Sequence, residues 1–280
     1  MYYLLITLSA VMLAAQFLIT EHFQREEGAG LVSSLKYSVY SSVVGFLALL
    51  IINKFAFSVS LFSTVVAIVY GGVCVGLNYS SIKAFKYANL SVYSVFSMIG
   101  GMVLPFIYGM LAGEEFKAVR IVCLLLISVS VALSATNGKN SKKAIKYYIG
   151  VFVLNGLVGV ISAFHQAGEG AVDSASFSML TKITTGLFAL AMLLFTKDKS
   201  LALSKKAFAL CTGSAVINTL ANLFILIALL NLPASVQYPI LTGGVIVFSA
   251  IIDALRKKPV GKKTIISVLA AFVGSVFMAL

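Results

Sequence analysis

Residues 88–117 read ANLSVYSVFSMIGGMVLPFIYGMLAGEEFK, and residues 232–261 read LPASVQYPILTGGVIVFSAIIDALRKKPVG. Each segment contains an apolar stretch of about 20 residues, the length that a helix needs to cross the hydrocarbon core of a bilayer. Each also carries a central glycine pair, Gly100-Gly101 and Gly243-Gly244, and the two pairs are 143 positions apart. The two segments therefore predict a pair of membrane helices in corresponding positions of a duplicated chain.

Further matches at almost the same offset indicate that the duplication extends over the whole chain. They are His22 with His165, the Glu-Gly-Ala of 27–29 with that of 169–171, and Asn78 with Asn222. Together the matches predict two five-helix units, residues 1–138 and 139–280, joined near the sequence TNGKNSKK. Because five is odd, the second unit enters the bilayer from the opposite side, which gives an inverted repeat. Inverted repeats recur in transporters, with the substrate site near the bilayer midplane between the copies.

The composition excludes a soluble domain. Hydrophobic residues make up 60% of the 280 residues, charged residues 11%, and the mean hydropathy is +1.03, whereas soluble domains are about 45–50% apolar and about 25% charged. Ten apolar runs follow one another, at about 2–20, 30–52, 60–85, 89–112, 118–136, 146–165, 173–196, 207–230, 233–255 and 264–280. We expect an all-α integral membrane protein with ten transmembrane helices in two inverted five-helix repeats, because backbone groups in lipid need internal partners.

The net charge of +12 sets an orientation rather than indicating nucleic-acid binding. Its Lys and Arg residues form short clusters between the apolar runs, which is how membrane proteins fix topology. With ten spans, and without Lys36 and Lys182, sixteen fall on the side opposite the termini and three on the side of the termini. The positive-inside rule then predicts an inner-membrane protein whose basic loops face the cytoplasm and whose two termini lie outside it.

The five-plus-five layout and the segment PFIYGMLAGEEFK resemble the drug/metabolite transporter superfamily, specifically its ten-helix EamA-type members. Pro105, Gly113 and Glu114 stand at the positions of the family pattern of proline, small residues and Gly-Glu. The second unit departs from that pattern, with Arg256 and Lys257 where Gly-Glu is frequent. The resemblance implies ten helices and movement of a small metabolite by alternating access. Relatives are often drawn with cytoplasmic termini, in conflict with the charge count.

Two lysines lie inside apolar runs. Lys36 is six residues into the second run and Lys182 nine residues into the seventh, or about 9 Å and about 13 Å deep at 1.5 Å per residue. Ionisable groups at such depths are usually functional, although a long stem can also return the charge to the interface. We interpret the two as a pair that faces the mouths of a central cavity and binds an anionic solute, since an ammonium binds carboxylate or phosphate.

Neutral polar residues in the runs supply further candidates for substrate contact. They are Asn78, Asn222, Tyr93, Gln237 and Tyr238. The two asparagines recur at matching positions of the two units, and Gln237 and Tyr238 precede Pro239, which frees a backbone carbonyl one turn earlier. The alternative for each is a hydrogen bond between helices, because polar residues also join helices in membrane bundles.

Several chemistries find no support in the sequence. No Asp or Glu lies deep in an apolar run, which argues against a proton-driven exporter of organic cations. No nucleophile elbow, phosphate loop or metal-ligand spacing is present, so we expect no catalytic residues, no metal, no cofactor and no enzyme activity. The cysteines Cys74, Cys123 and Cys211 stand singly and are interpreted as small buried hydrophobes.

The sequence therefore favours a secondary transporter whose partners are a small-molecule metabolite and the lipid bilayer, with substrate, direction and oligomeric state open. The first alternative is a membrane enzyme or a lipid-handling, flippase-like protein acting at the basic face, where sixteen Lys and Arg would attract anionic headgroups. The second is a scaffold subunit that transports nothing. The absence of a cluster of catalytic groups argues against an enzyme, and a scaffold role does not explain an intramembrane charge pair that has no buried partner carboxylate.

Overall fold

The described part of the chain is entirely helical apart from short connections. In the computed structural model it comprises residues 2–87, 90–111, 141–229, 234–258 and 262–277. These residues form nine α-helices: α1 Tyr2–Glu27, α2 Leu31–Ile52, α3 Leu61–Phe85, α4 Leu90–Leu111, α5 Ser141–Ala167, α6 Ser174–Leu194, α7 Lys205–Leu229, α8 Ala234–Leu255 and α9 Lys262–Phe277. The predicted run at 118–136 lies outside the described residues, as do Cys123, Gly113 and Glu114.

Six of these helices, α1, α2, α3, α5, α6 and α7, are long and apolar enough to cross a membrane. The apolar stretches in the other three are shorter, namely Leu90–Pro105, Ile240–Leu255 and Ile265–Gly274. Large apolar side chains are exposed along the helices, including Leu61 at 83% and Ile51 at 65%. A polypeptide with several such helices is a multi-pass membrane protein, so the predicted all-α membrane class is confirmed.

Helix α1 is longer than its apolar run. The sequence predicts an end near residue 20, whereas the helix continues to Glu27. The extension, EHFQREE, is polar but rich in Glu, Gln and Arg, which have high helix propensity. It carries the helix beyond the apolar zone, so that Glu21 lies inside a helix rather than at its end.

The helices pack in two groups that share α5 and α7. Helix α1 packs along α7 and α8, and α4 packs along α5 and α8; this group holds the largest apolar core, which includes Phe17, Phe96 and Val245. Helix α3 packs on α5 and α6, and α2 packs on α6 and α7. Helices α2, α3 and α6 thus lie side by side, and their inner faces form the site described below.

Contacts along the helices fix their relative directions. Ser9 Oγ donates to the Ala221 carbonyl (3.1 Å), whereas Glu26 accepts from Lys206 (2.7 Å), so α1 and α7 are antiparallel. In the same way, α3 and α5 are antiparallel, since Ser63 contacts His165 and Ser80 contacts Gly150.

Two other helix pairs are parallel, because residue numbers rise together along both partners. For α1 and α8 the contacts are Ala10 with Gly244 and Glu21 with Arg256. For α4 and α5 they are Ser97 with Asn155 and Pro105 with Gly159.

Glycine permits the closest of these approaches. A Cβ atom on Gly100 would overlap the backbone carbonyl of Phe152, and one on Gly156 would lie 2.7 Å from the Gly100 carbonyl oxygen. Such small residues let membrane helices approach backbone to backbone. Glycine is also needed in two turns, because Gly28 before α2 has φ +85° and Gly170 before α6 has φ +83°, values that other residues rarely adopt.

Candidate functional site

Lys182 lies near the middle of α6, nine residues after the N-cap residue Asp173. Its side chain extends toward α2 and lies against Gly45: a Cβ atom on that glycine would be 3.1 Å from Lys182 Cε and 3.6 Å from Nζ. One helical turn further along α6, Gly186 faces Ser42 of α2: a Cβ atom on this glycine would lie 3.2 Å from Ser42 Cβ. Small residues on both helices therefore hold α2 and α6 close together and leave room for the lysine stem.

The Lys182 ammonium has no structural partner in the part of the chain that the structure describes. It makes no hydrogen bond or ion pair there, and the ionisable group that interacts with it is the Cys74 thiol of α3. The lysine side chain remains partly exposed. An ammonium in the middle of packed helices that has no hydrogen bond or ion pair among the described residues is available to bind a ligand.

A polar line on α3 faces the same place. Tyr70, Cys74 and Asn78 follow one another at intervals of four residues and are all partly exposed, so they share one face of the helix. The Cys74 thiol interacts with the hydroxyl groups of Tyr70 and Thr185. The exposed apolar residues of α3, among them Val65 and Ile68, lie on the opposite face, so the polar line points into the bundle.

Helix α2 completes the site with serines. Asn78 Nδ2 donates to Ser38 Oγ (2.9 Å), and Ser38 Oγ donates to the Ser34 carbonyl oxygen (3.0 Å). On α6, Thr185 Oγ1 donates to the Thr181 carbonyl oxygen at 2.6 Å and also lies at the Cys74 thiol. The site thus combines one cation, a thiol, an amide and several hydroxyls, and it holds no carboxylate among the described residues.

Lys36 occupies a different environment from Lys182. It is buried, and its ammonium donates to the Ala202 carbonyl oxygen (2.8 Å) in the segment between α6 and α7, next to the Tyr40 hydroxyl bond to the Leu201 carbonyl (3.1 Å). It follows its N-cap residue Gly30 by six positions rather than nine. Along α2 it lies nine residues from Gly45, or about 13 Å. The structure does not bring the two lysines together, and Lys36 reaches the end of the bundle.

The other predicted residues are distributed unevenly. Asn78 belongs to the site, whereas Asn222 is exposed on α7 and donates to the Asn218 carbonyl oxygen (2.7 Å). Tyr93 is buried in the large apolar core, with its ring 4.1 Å from that of Phe85 and its hydroxyl donating to Ser81 (2.9 Å). Gln237 and Tyr238 belong to the first turn of α8, where the described part of the structure includes the backbone but not the side chains.

An ion cluster at the basic end of the bundle was not predicted. Glu21, 1% exposed, accepts from Arg25 (2.7 Å), Arg256 (2.6 Å) and Lys258 (2.6 Å). Asp253 is fully buried beside it, accepts from the Ser91 backbone N–H (2.7 Å) and lies 3.6 Å from Lys258. These contacts join α1, α4 and α8. In the sequence only Glu21–Arg25 and Asp253–Lys258 are close together, whereas Arg256 and Lys258 lie more than 200 positions from Glu21 and Ser91 lies 162 positions from Asp253.

The opposite end of the bundle is joined by a buried histidine. His165 stacks on Phe177 with ring centroids 3.6 Å apart, and its Nε2 atom hydrogen-bonds with Ser63 Oγ (2.9 Å). Ser63 Oγ also accepts from the Val172 backbone N–H (3.0 Å). These contacts link the start of α3 to the end of α5 and the start of α6. His22 instead bonds to the Leu18 carbonyl of its own helix (2.9 Å).

The interpretation of the cysteines as small buried hydrophobes is wrong for one of the two that the structure describes. Cys211 is buried, as predicted, but Cys74 is partly exposed at the site beside Lys182. Its position, four residues from both Tyr70 and Asn78, is the sequence signal that could have found it. No group of three or more potential metal ligands is present within the described ranges.

Comparison with known proteins identifies the fold but no family. No model of a known protein family matches the chain, and no curated protein matches it. A solved structure described as "Crystal structure of protein" is similar, with a TM-score of 0.57 and 15% sequence identity over 99% of this chain and 96% of that chain. At that identity the similarity shows a shared fold alone.

Proposed function

We propose that this protein is a secondary transporter that moves a small anionic, zwitterionic or amphipathic metabolite through a site between α2, α3 and α6. The observation that carries the proposal is the Lys182 ammonium, which lies near the middle of its helix without a partner among the described residues. Placing a lysine at the centre of a membrane helix costs about 2.5–3.5 kcal/mol on insertion. A structural role would need a partner that offsets this cost.

The chemistry of the site suits a carboxylate or a phosphate. The ammonium offers three donors and a point charge, the Tyr70 and Thr185 hydroxyls lie around the Cys74 thiol beside it, and the Asn78 amide follows one turn further along α3. A bound anion would supply the missing counter-charge, and the hydroxyls and amide would orient it. In this account Lys36 anchors α2 to the segment that carries Ala202, rather than binding the solute.

The pairing of helices supports the inverted repeat. If α1–α3 correspond to α5–α7 and α4 to α8, the antiparallel pair α1/α7 corresponds to α5/α3, and the parallel pair α1/α8 corresponds to α5/α4. Both members of each correspondence are found. The turn glycines Gly28 and Gly170, 142 positions apart, also share a left-handed backbone.

The parallel pair α4/α5 also supports ten spans. These helices are consecutive in the described chain, yet they run in the same direction. Two parallel membrane helices require an odd number of crossings between them, and the sequence predicts one, at 118–136. With it the layout is five plus five helices, as in the ten-helix members of the drug/metabolite transporter superfamily, to which we assign the chain by this proposal.

Alternating access requires the two ends of the bundle to open in turn. The basic end is held by the ion cluster around Glu21, and the other end by the contacts of His165. Each set links helices of both proposed repeats, so breaking one set while keeping the other would expose the Lys182 site to one side. We place the basic end in the cytoplasm of a bacterial-type inner membrane, following the positive-inside rule.

Ligand screening of the purified protein tests the proposal. Thermal unfolding in detergent is measured against a panel of metabolic carboxylates, phosphates, amino acids and organic cations. We expect stabilisation by one class of anion or zwitterion that is lost in Lys182→Met and retained in Lys36→Met. Stabilisation by cations alone, or an anion effect that survives Lys182→Met, would contradict the proposal. Stabilisation by phospholipids but by no soluble solute would favour a lipid-handling protein.

A further inference from the structure

Three lysines and three tyrosines gather where α3 ends and α5 begins. They are Lys83, Lys86, Lys146, Tyr79, Tyr87 and Tyr147, here called the Lys–Tyr patch. Four of them are neighbours in sequence at the end of α3. The other two, Lys146 and Tyr147, are brought to them by the packing of α3 on α5. The patch lies at the basic end of the bundle and apart from the Lys182 site.

Tyr147 is the centre of the patch. Its ring stacks on that of Tyr87 (centroids 6.1 Å apart, interplanar angle 7°) and meets that of Tyr79 edge-on (6.2 Å, 77°). The rings of Tyr87 and Tyr147 also pack on the large apolar core. The tyrosines therefore form a fixed platform rather than free surface side chains.

The three ammonium groups stand over this platform. Lys146 Nζ lies 5.0 Å from the Tyr147 ring centroid, Lys83 Nζ 5.7 Å from that of Tyr79, and Lys86 Nζ 5.8 Å from that of Tyr87. None of the three lysines pairs with a carboxylate within the described ranges, whereas Lys206 and Lys258 at the same end both do. Three cations without a neutralising carboxylate, each beside one of three contacting tyrosine rings, suit the patch to an anion.

The surface of α5 next to Lys146 is apolar and exposed. Ile145, which directly precedes Lys146, recurs at intervals of four residues in Ile149 and Val153, and the three side chains are 41%, 52% and 38% exposed. They form a strip that begins beside Lys146 and runs toward the middle of α5. Tyrosine rings at the ends of membrane helices typically lie at the level of the lipid headgroups.

We propose that the Lys–Tyr patch is a binding site for the headgroup of an anionic phospholipid. The phosphate lies among the three ammonium groups, the tyrosine hydroxyls donate to its oxygens, and the acyl chains run along the strip of Ile145, Ile149 and Val153. The strip distinguishes a lipid from a free phosphate, which would gain nothing from it. This site does not depend on which solute the protein transports.

Lipid binding is measured by native mass spectrometry of the purified protein with phosphatidylglycerol, phosphatidylcholine and chain-free glycerol phosphate. We expect retained phosphatidylglycerol, no retained phosphatidylcholine and no glycerol phosphate. The variant Lys83→Gln/Lys86→Gln/Lys146→Gln should bind phosphatidylglycerol about a hundredfold more weakly, since each lysine near an anionic surface contributes about a factor of five. Lys197→Gln/Lys199→Gln/Lys205→Gln removes the same charge from exposed positions at the same end and should bind like the wild type.

Three results would overturn the site. Equal losses in the two triple variants would reduce the effect to net charge, and equal retention of both phospholipids would remove the headgroup preference. Binding of glycerol phosphate as tight as that of the lipid would assign the patch to a soluble phosphate. If the first triple variant does not fold, the single change Lys146→Gln, at an exposed position, gives the same comparison against Lys205→Gln with an expected loss of about fivefold.

Discussion

The stem of Lys182 fills the space that the absent side chain of Gly45 leaves on α2. A Cβ atom on Gly45 would lie 3.1 Å from Lys182 Cε and 3.4 Å from Cδ. The glycine therefore positions the ammonium, because the lysine stem passes across α2 at a residue without a side chain. Since Cys74 of α3 interacts with the same lysine, three helices converge on it.

This contact predicts an energetic coupling between Gly45 and Lys182. Gly45→Leu should destabilise the protein by about 1–3 kcal/mol, because extra carbon atoms are forced into a filled space. Lys182→Ala removes the stem, so the double variant should recover part of that loss, with a coupling of about 0.5–3 kcal/mol. The measurement is a double-mutant cycle of denaturant unfolding in detergent. The matched cycle uses Gly72→Leu, since a Cβ atom on Gly72 meets nothing within 4 Å, and it should be additive. Additivity in the Gly45 cycle would disprove the contact.

The ion cluster predicts unequal effects of two similar changes on α1. Glu21→Gln should lower the free energy of unfolding by about 2 kcal/mol, because three cations lose a buried carboxylate that accepts their hydrogen bonds. Glu26→Gln removes only a single pair with Lys206, whose side chain is 71% exposed, and such surface pairs are worth about 0.2–1 kcal/mol. Thermal unfolding of the two variants decides the matter, and equal shifts would mean that the cluster contributes nothing beyond a surface pair.

The backbone approach of α4 and α5 predicts that Gly100 tolerates no side chain. Gly100→Ala should destabilise the protein by about 3 kcal/mol or more, since the added methyl group overlaps the Phe152 carbonyl and the helices must separate. Gly213→Ala on α7 serves as the control, because nothing lies within 4 Å of its Cβ position, and it should be neutral or stabilising by up to about 1 kcal/mol. The stability of both variants is measured by their expression level and by the midpoint of unfolding. A Gly100→Ala protein as stable as the control would refute the close packing.

Asp173 caps α6 and predicts a dependence on pH. Burial opposes ionisation of its carboxylate, but hydrogen bonds from Ser176 and from the backbone of Ala175 outweigh burial and hold its pKa below the ordinary value of 3.8. The carboxylate therefore adds stability above its unfolded pKa, and this contribution is lost as the pH falls through the lower folded pKa. Asp173→Ala should cost about 1 kcal/mol at neutral pH, and the difference from the wild type should shrink toward pH 3. Asp173→Asn, which still caps, should lose less; a difference from the wild type that is independent of pH would show that the charge plays no part.

Hydropathy and residue spacing predicted most of the helices but not which residues on other helices they contact. The run at 60–85 became α3, Leu61–Phe85, and the polar face of α3 follows from the spacing of Asn78 and Cys74. Periodicity identifies a face and says nothing about the neighbour. Asn78 and Lys182 were therefore chosen as candidates, whereas their neighbours Ser38 and Gly45 were not.

Two of the candidate residues have partners in the structure that the sequence does not reveal. Lys36 and Lys182 look alike in their apolar runs, but Lys36 has the Ala202 carbonyl as its partner, 166 positions away. Tyr93 was chosen as a polar residue deep in an apolar run, but its ring packs between Phe17 and Phe85 and its hydroxyl donates to Ser81. Long-range contacts decide whether a polar side chain is satisfied, and one sequence does not reveal them.

Charge selection at Cys74 tests the central claim most directly, because it needs no knowledge of the substrate. In a Cys123→Ser/Cys211→Ser background, Cys74 is labelled with an anionic sulfonatoethyl and a cationic trimethylammonium-ethyl methanethiosulfonate, each rate being divided by that for free cysteine. Two charges about 4 Å apart in water interact by about 1 kcal/mol, so the ratio should favour the anionic reagent by about fivefold or more. Lys182→Met should abolish this preference and Lys36→Met should leave it unchanged. A ratio that Lys182→Met does not alter would contradict an anion-binding lysine at the centre of this protein.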